Sequence, residues 1–305
     1  MFTQTVKNNT MKFNTKAIHG GQHDIDPAFG SVMTPIYQTS TYKQTTPGGH
    51  KGYEYSRSAN PTRSSLEQSL ASLENGKYGL AFGSGLAAVD AVLKLLEPGD
   101  EVVTTNNLYG GSYRLFTSIF QKFGIKFHFV DMENAQDIVE HINDHTKMIW
   151  IETPTNPMMN IIDIKAVSQI SSKHKLILAV DNTFATPYLQ SPLDLAADIV
   201  MHSVTKYIGG HSDVIAGAVL GTAEVMGRVK GLRTFLGNMA GPHTGWLFMR
   251  SLETLKIRME KQAANAEKVA DYLANHPKVE RVYYLGMLDE KDDRHADIFA
   301  RQCES

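Results

Sequence analysis

Short apolar runs alternate with helix-length amphipathic segments along most of the chain. Continuous apolar runs are typical of strands that are buried on both faces, and their alternation with helices favours a mostly parallel sheet covered by helices. In such sheets, ligands bind at the carboxyl ends of the strands. The predicted strands are GLAF (79–82), EVVTT (101–105), KFHFV (126–130), MIWIE (148–152), LILAVD (176–181), DIVMHS (198–203) and AGAVLG (216–221).

The ends of the chain depart from this alternation. Residues 1–56 are polar and weakly periodic, which predicts an extended N-terminal arm that wraps around another subunit. The alternating region, 57–250, is predicted to be one large α/β domain. Residues 251–305 are predicted to be the start of a C-terminal α+β domain that is incomplete.

Two helices are marked by the sequence itself. Asn60 is suited to cap a helix and Pro61 to occupy its first position, so a helix is predicted to begin there and to end before Gly76. Apolar residues at spacings of three and four predict one long helix over 252–275. The segment KVERVYYLG (278–286) then predicts a further strand.

Composition and charge exclude several classes of function. The net charge is −2, with 30 Lys and Arg against 32 Asp and Glu, so neither nucleic acid nor an anionic membrane is expected as a partner. The longest apolar runs are too short to span a bilayer, and no N-terminal signal segment is expected. The single cysteine, Cys303, forbids an intramolecular disulfide and is typical of a cytoplasmic protein. The 12 histidines are scattered, so no metal site is expected.

Three predicted strands end in residues that carry chemistry. After GLAF, a glycine turn opens a helix whose first amides, at Gly85 and Leu86, could bind a phosphate. Asp181 ends another strand, and Lys206 follows a third. Taken singly, each has an ordinary alternative: tight packing for the glycines, a turn carboxylate for Asp181, and a lysine that reaches into water for Lys206.

Together, these strand ends match the needs of pyridoxal phosphate. A desolvated Lys206 could bind its aldehyde covalently, and Asp181 could pair with the pyridine nitrogen and keep it protonated. Ser203 and Thr205 flank the lysine and are candidate hydroxyl donors to the phosphate. We therefore predict a pyridoxal phosphate site at the carboxyl edge of the sheet.

Six motifs then resemble the pyridoxal phosphate enzymes of Cys/Met metabolism, in order and spacing from about residue 12 onward. The resemblance implies the PLP-dependent transferase-like fold (aspartate aminotransferase fold type I), with a mostly parallel sheet covered by helices. The motifs are YEYSRSANPTR (53–63), FGSGLAA (82–88), NNLYGGSYRLF (106–116), IETPTNP (151–157), AVDNTFATP (179–187) and DIVMHSVTKYIGGHSD (198–213).

The resemblance implies a role for each motif residue. Lys206 would bind the cofactor and carry protons, and Asp181 would hold the pyridine nitrogen. Tyr109 would stack on the ring and act as acid or base. Asn156 would lie near the substrate carboxylate. Four residues would bind the cofactor phosphate within the same chain: Gly85, Leu86, Ser203 and Thr205. Tyr55 and Arg57 would bind the cofactor phosphate of a neighbouring subunit.

The resemblance also implies an activity. It points to a trans-sulfuration enzyme that acts on sulfur amino acids by γ-elimination or γ-replacement, as cystathionine γ-lyase or cystathionine γ-synthase, in a shared-site homo-oligomer (a dimer of dimers). O-acylhomoserine sulfhydrylase and methionine γ-lyase are alternatives, although methionine γ-lyases carry a cysteine soon after the tyrosine equivalent to Tyr109, where this chain has YGGSYRLF. A catalytically poor chain that keeps the cofactor site is the alternative of another class, because no stretch before Ser305 resembles the family's carboxylate-binding arginine region.

Overall fold

The computed structural model describes residues 11–21, 26, 28–287 and 293–303. Its helices are α1 Phe13–His19, α2 Pro61–Leu73, α3 Gly85–Leu93, α4 Gly110–Ser118, α5 Ile164–His174, α6 Thr186–Leu189, α7 Ala223–Leu236, α8 Pro242–Leu252, α9 Leu255–Ala274 and α10 Asp293–Cys303. Its strands are β1 Tyr78–Phe82, β2 Glu101–Thr105, β3 Lys126–Val130, β4 Thr146–Glu152, β5 Ile177–Asp181, β6 Ile199–His202 and β7 Gly217–Gly221.

The apolar runs predicted the strands well. Each of the seven predicted strands is present, with ends that differ by a residue or two. β2, β6 and β7 are buried along their whole length, as continuous apolar runs require.

The described residues divide into two compact units. The first unit comprises residues up to 95 together with 201–254, and the second comprises 96–200 together with 255 onward. In the first unit, β1 pairs antiparallel with β7, and the strand order is β1-β7-β6. This antiparallel pair departs from the parallel arrangement that the alternation predicts.

The second unit contains a parallel sheet in the order β5-β4-β2-β3. Its core is built from aliphatic side chains such as Ile149 and Ile151 of β4, Val180 of β5, and Val167 of α5, all fully buried. Because the four strands are parallel, their carboxyl ends lie at one edge of this sheet. That edge carries the carboxylates described below.

Helix α2 starts as its sequence predicts. The Asn60 side chain accepts hydrogen bonds from the amides of Thr62 (3.0 Å) and Arg63 (3.3 Å), and Pro61 occupies the first helical position. The cap thereby satisfies two amides that have no partner within the helix.

One prediction near the C-terminus is confirmed and one is wrong. The predicted long helix is present as α9, which begins at Leu255, three residues later than predicted, and ends at Ala274; α8 ends at Leu252. Both the amide and the hydroxyl of Thr254 bond to the carbonyl of Ser251, and such local bonds compete with a continuous helix. Residues 278–286 form no strand within the described part of the chain; a 3-10 turn at Leu285–Met287 ends the segment.

The N-terminal arm is only partly extended. Residues 1–10 lie outside the described residues, and Phe13–His19 forms α1, which contacts α2. Gly21 fits closely against that helix, because a Cβ at this position would lie 2.0 Å from the carbonyl oxygen of Ser65. The boundaries of the arm and of the two domains stay predictions.

Candidate active site

Asp181 is the last residue of β5, at the carboxyl edge of the second unit's sheet. It is only 5% exposed, and its Oδ1 accepts hydrogen bonds from the amide (3.1 Å) and the hydroxyl (2.5 Å) of Thr183. A buried carboxylate requires such partners, because its transfer out of water is costly. The structure therefore places a fixed acceptor where the sequence predicts one.

Glu152 is a second buried carboxyl at this edge, which the sequence predictions do not include. It is the last residue of β4, stands in register with Asp181, and is 6% exposed. Burial, together with the negative charge of Asp181, raises the pKa of Glu152 to about 8. The signal was present, since the run MIWIE ends in a charged residue as LILAVD does.

Glu152 and Tyr109 are joined by a hydrogen bond. The Tyr109 amide donates to Glu152 Oε2 at 2.7 Å, directly before helix α4 begins. The Tyr109 ring lies over the start of that helix, where a Cβ on Gly111 would be 2.3 Å from the ring atom Cε1. Glycine at 111 thus makes room for the ring, which is 42% exposed.

Asn156 lies in the exposed turn that follows β4. The turn is held by the amide of Thr155, which donates to the carbonyl of Asn160 (2.9 Å). Its predicted contact with the substrate carboxylate stays a prediction.

In the first unit, the start of α3 has the form of an anion site. The Ser84 side chain caps the helix by accepting the amide of Ala87 (3.0 Å), while Gly85 and Leu86 are the first two helical residues, whose amides have no acceptor within the helix. A Cβ on Gly85 would lie 2.8 Å from Ser203 Oγ. The helix start and the serine hydroxyl therefore lie side by side, as a phosphate group requires.

Lys206 lies in the turn after β6. The four strand residues are buried, whereas the lysine itself is exposed, which differs from the desolvated amine that the sequence predicts. Its amide donates to the carbonyl of Ser203 (3.1 Å), and the amide of Gly210 donates to its carbonyl (2.7 Å). The first of these hydrogen bonds joins Lys206 to Ser203, the serine that lies beside the start of α3.

Thr205 has a structural contact of its own. Its hydroxyl donates to the carbonyl of Ala216 (3.0 Å) and accepts from the amide of the same residue (3.2 Å). This pair of bonds fixes the turn to the segment before β7. The predicted bond from Thr205 to a phosphate stays a prediction.

Tyr55 and Arg57 are exposed on the first unit. The Arg57 guanidinium lies 5.4 Å from the centre of the Tyr55 ring and donates to the carbonyl of Thr234 (2.6 Å). The two side chains are therefore held together at the surface of the first unit.

Other kinds of site find no support in the described residues. They contain no group of three or more His, Cys, Asp or Glu side chains arranged to hold a metal ion. None of their helices has the length and apolarity needed to cross a membrane. Burial raises the pKa of the Cys303 thiol to about 12, which keeps it protonated and unreactive.

The residues of each unit suit one part of pyridoxal phosphate. The amides of Gly85 and Leu86, with Ser203 beside them, suit its phosphate, and the buried Asp181 suits its ring nitrogen.

Comparison with known proteins agrees with this assignment. A cystathionine beta-lyase of Coxiella burnetii is 47% identical over 93% of this chain and 74% of its own length. A "probable cystathionine gamma-synthase" of Herpetosiphon aurantiacus is 45% identical over 90% of this chain and 86% of its own. The crystal structure of a cystathionine gamma-lyase from Lactobacillus plantarum, complexed with L-serine, is 41% identical, with a TM-score of 0.92 over 97% of this chain and 76% of its own.

These similarities confirm the predicted fold, a mostly parallel sheet flanked by helices. Residues 14–305 match the family described as Cys/Met metabolism PLP-dependent enzyme. The chain belongs to that family of pyridoxal phosphate enzymes.

Proposed function

We propose that the chain is a trans-sulfuration enzyme that breaks or forms the carbon–sulfur bonds of cystathionine, by γ-elimination or γ-replacement. The observation that carries the proposal is the turn after β6, in which Lys206 follows Ser203 and Ser203 faces the open amides at the start of α3. A lysine held next to a phosphate-binding group is what a covalently bound pyridoxal phosphate requires.

The similar proteins include lyases and a synthase at nearly equal identity, so either direction of the chemistry is compatible with them. They also include cystathionine β-lyases, whose β-elimination is not among the reactions predicted from the sequence. O-acylhomoserine sulfhydrylase and methionine γ-lyase remain alternatives within the family. No observation on the described residues favours a catalytically poor chain.

The chain's own residues would divide the work as follows. When bound, pyridoxal phosphate supplies an electron sink for negative charge at the substrate Cα. Asp181, as an anion, would keep a proton on the ring nitrogen, and the Lys206 amine would accept and return protons near the substrate carbon. Tyr109 would cover the ring and serve as acid or base.

The partners follow from the same proposal. The substrate would be a small amino acid, with Asn156 near its carboxylate. The chain would assemble as a homo-oligomer, a dimer of dimers, in which Tyr55 and Arg57 reach the phosphate of a neighbouring subunit. Their exposure on the first unit supports this role. We propose the cytoplasm as its compartment, since one cysteine makes disulfides irrelevant to its stability.

The first test is the visible absorbance of the purified protein with added pyridoxal phosphate, before and after borohydride. We expect a visible band that borohydride bleaches, with the cofactor then bound covalently to Lys206. The Lys206→Ala variant should lose the covalent link and all turnover. Lys173→Ala, which removes an exposed lysine of α5, is the matched control and should behave as the wild type. Turnover by Lys206→Ala would overturn the proposal.

The substrates can then be compared directly. Cystathionine that yields 2-oxobutanoate and cysteine would identify γ-elimination, whereas pyruvate and homocysteine would identify β-elimination. Cystathionine made from an O-acylhomoserine and cysteine would identify γ-replacement. Activity on methionine alone would contradict the trans-sulfuration assignment.

The shared site can be tested by mixing two inactive variants, Lys206→Ala and Arg57→Ala. In a mixed dimer, one of the two sites would receive an intact Lys206 from one chain and an intact Arg57 from the other. We therefore expect activity to return on mixing. No recovery, despite proven exchange of subunits, would show that Arg57 serves only its own chain.

A further inference from the structure

Two carboxyl groups stand side by side at the carboxyl edge of the second unit's sheet. Glu152 ends β4 and Asp181 ends β5, in direct register on neighbouring parallel strands. They are 6% and 5% exposed, so water screens their charges poorly. Two buried carboxylates on adjacent strands disfavour each other's ionisation, and such a pair holds one proton between its members.

The surroundings place that proton on Glu152. Asp181 accepts two hydrogen bonds from Thr183, which stabilise its ionised form. Glu152 accepts a single bond, from a backbone amide, and among the described residues it forms no ion pair with a lysine, arginine or histidine. Burial and the charge of Asp181 together outweigh that bond and raise the pKa of Glu152 to about 8.

Among the described residues, no lysine, arginine or histidine forms an ion pair with Glu152, and Arg114 of α4, beside Gly110, is exposed. β5 contributes Asp181, and the segment before α4 contributes Tyr109 through its amide. β2, the other neighbour of β4, ends in Thr104 and Thr105, which do not titrate in this range. The protonation of Glu152 is therefore governed by Asp181 and by burial.

Glu152 is also the anchor of Tyr109. The hydrogen bond from the Tyr109 amide to Glu152 fixes the backbone one residue before α4. Gly111 leaves room for the tyrosine ring against the helix. A neutral carboxyl keeps an oxygen that can accept this bond. Glu152 thus stands in register with Asp181 and binds the amide of Tyr109, the two residues of this unit to which the proposed function gives a role on the cofactor ring.

We propose that Glu152 is a positioning residue that keeps the one proton of the carboxyl pair, so that Asp181 is the single anion of the pair, and that fixes Tyr109 through its backbone amide. This inference rests on the proposed function, because it assigns Glu152 to the residues that would act on the ring.

Kinetics of the cofactor-bound enzyme test the anchor. Glu152→Gln keeps the shape and an acceptor oxygen, whereas Glu152→Ala removes the acceptor. We expect kcat to fall by about a hundredfold in the alanine variant, since a displacement of about 1 Å at a reacting group has this effect. The glutamine variant should lose less than about tenfold, with a smaller change in KM. Glu101→Gln, at the opposite end of a neighbouring strand, is the matched control and should keep the wild-type kcat.

The pH dependence of stability tests whether folded Glu152 keeps its proton. In the unfolded chain, a glutamate loses its proton near pH 4.5, whereas folded Glu152 keeps it to about pH 8. The folded state then binds more protons between these values, so the wild type loses stability as pH rises through this window. Relative to the wild type, Glu152→Gln should therefore gain up to tenfold in the folding equilibrium constant per pH unit, and nothing further above pH 8.

Infrared spectroscopy of the folded protein reports the proton directly. A carbonyl band of a buried protonated carboxylic acid should be present at neutral pH, lost in Glu152→Gln, and lost from the wild type above pH 8. If the band is missing, or if the stability difference between the wild type and Glu152→Gln does not change with pH, Glu152 is not protonated at neutral pH and this part of the proposal is wrong. If kcat falls as much in Glu152→Gln as in Glu152→Ala, Glu152 does not act by accepting the hydrogen bond of the Tyr109 amide.

Failure of the proposed function would look different. In that case Lys206 would form no borohydride-stable link and none of the substrates would turn over, yet the infrared band and the stability slope would still support the shared proton. If the alanine variant does not fold, the glutamine variant and the infrared band still decide the question.

Discussion

Glu101 and Glu152 are both buried glutamates of the second unit's sheet, and their pKa values move in opposite directions. Glu101 begins β2 and is 4% exposed; Glu152 ends β4 and is 6% exposed. A hydrogen bond from Asn143, joined by the side chains of Lys126 and His128, lowers the pKa of Glu101 to about 2. Burial and a neighbouring carboxylate raise that of Glu152 to about 8.

The contrast shows that burial alone does not decide the state of a carboxyl. Glu101 has three side-chain partners, at 2.6–2.9 Å, two of which can carry positive charge. Glu152 has a single backbone donor and a neighbour of like charge. The amino end of the sheet is thereby organised for stability, and the carboxyl end holds a group whose proton is available for function.

The largest effect is expected for Asp181→Asn, at the carboxyl end of the second unit's sheet. The amide is neutral, so the variant should lose the stabilisation of the protonated ring nitrogen, and kcat should fall by about 10²–10³-fold. The like charge beside Glu152 disappears at the same time, so the pKa of Glu152 should fall toward its ordinary value. Steady-state kinetics and the infrared band measure the two effects, and an unchanged kcat would contradict the role of Asp181.

The next effect is at the structural end, in Glu101→Ala. The change leaves Asn143, Lys126 and His128 without their shared acceptor, and hydrogen bonds to a buried charge are the stronger ones. We expect the free energy of unfolding to fall by about 2 kcal/mol in urea denaturation at pH 7. The activity per folded molecule should not change. A change in kcat would contradict the assignment of Glu101 to stability alone.

Acid sharpens the comparison further. Folded Glu101 titrates at about 2, below the value near 4.5 for the unfolded chain, so its contribution is complete above pH 4.5 and is lost as pH falls toward 2. Lowering the pH from 5 to 3 should therefore reduce the wild type's advantage over Glu101→Gln by about 2 kcal/mol. An advantage that is the same at pH 5 and pH 3 would show that Glu101 is not held as an anion.

The smallest effect is expected for Lys126→Met. The Lys126 amine bonds to Glu101 at 2.9 Å, but its side chain is 73% exposed, so water and salt screen the pair. We expect a loss of about 0.5 kcal/mol, and less in high salt. A loss as large as that of Glu101→Ala would mean that the lysine, rather than the whole set of partners, sets the pKa of Glu101.

Local patterns predicted the parts of the fold that depend on local chemistry. Asn60 followed by Pro61 marks a helix start because the side chain and the ring act within one turn. The segment 278–286 failed for the converse reason: its alternation suits a strand, yet within the described residues no neighbouring strand pairs with it.

The candidate site divides in the same way. The sequence by itself determined where Lys206, Asp181 and the glycine turn at Gly85 lie, because each follows an apolar run that must be a buried strand. Only the tertiary structure decided that Glu152 faces Asp181 and holds the amide of Tyr109, 43 residues earlier in the chain. Strand register and close approach are long-range, and a pKa depends on the charges that they bring together.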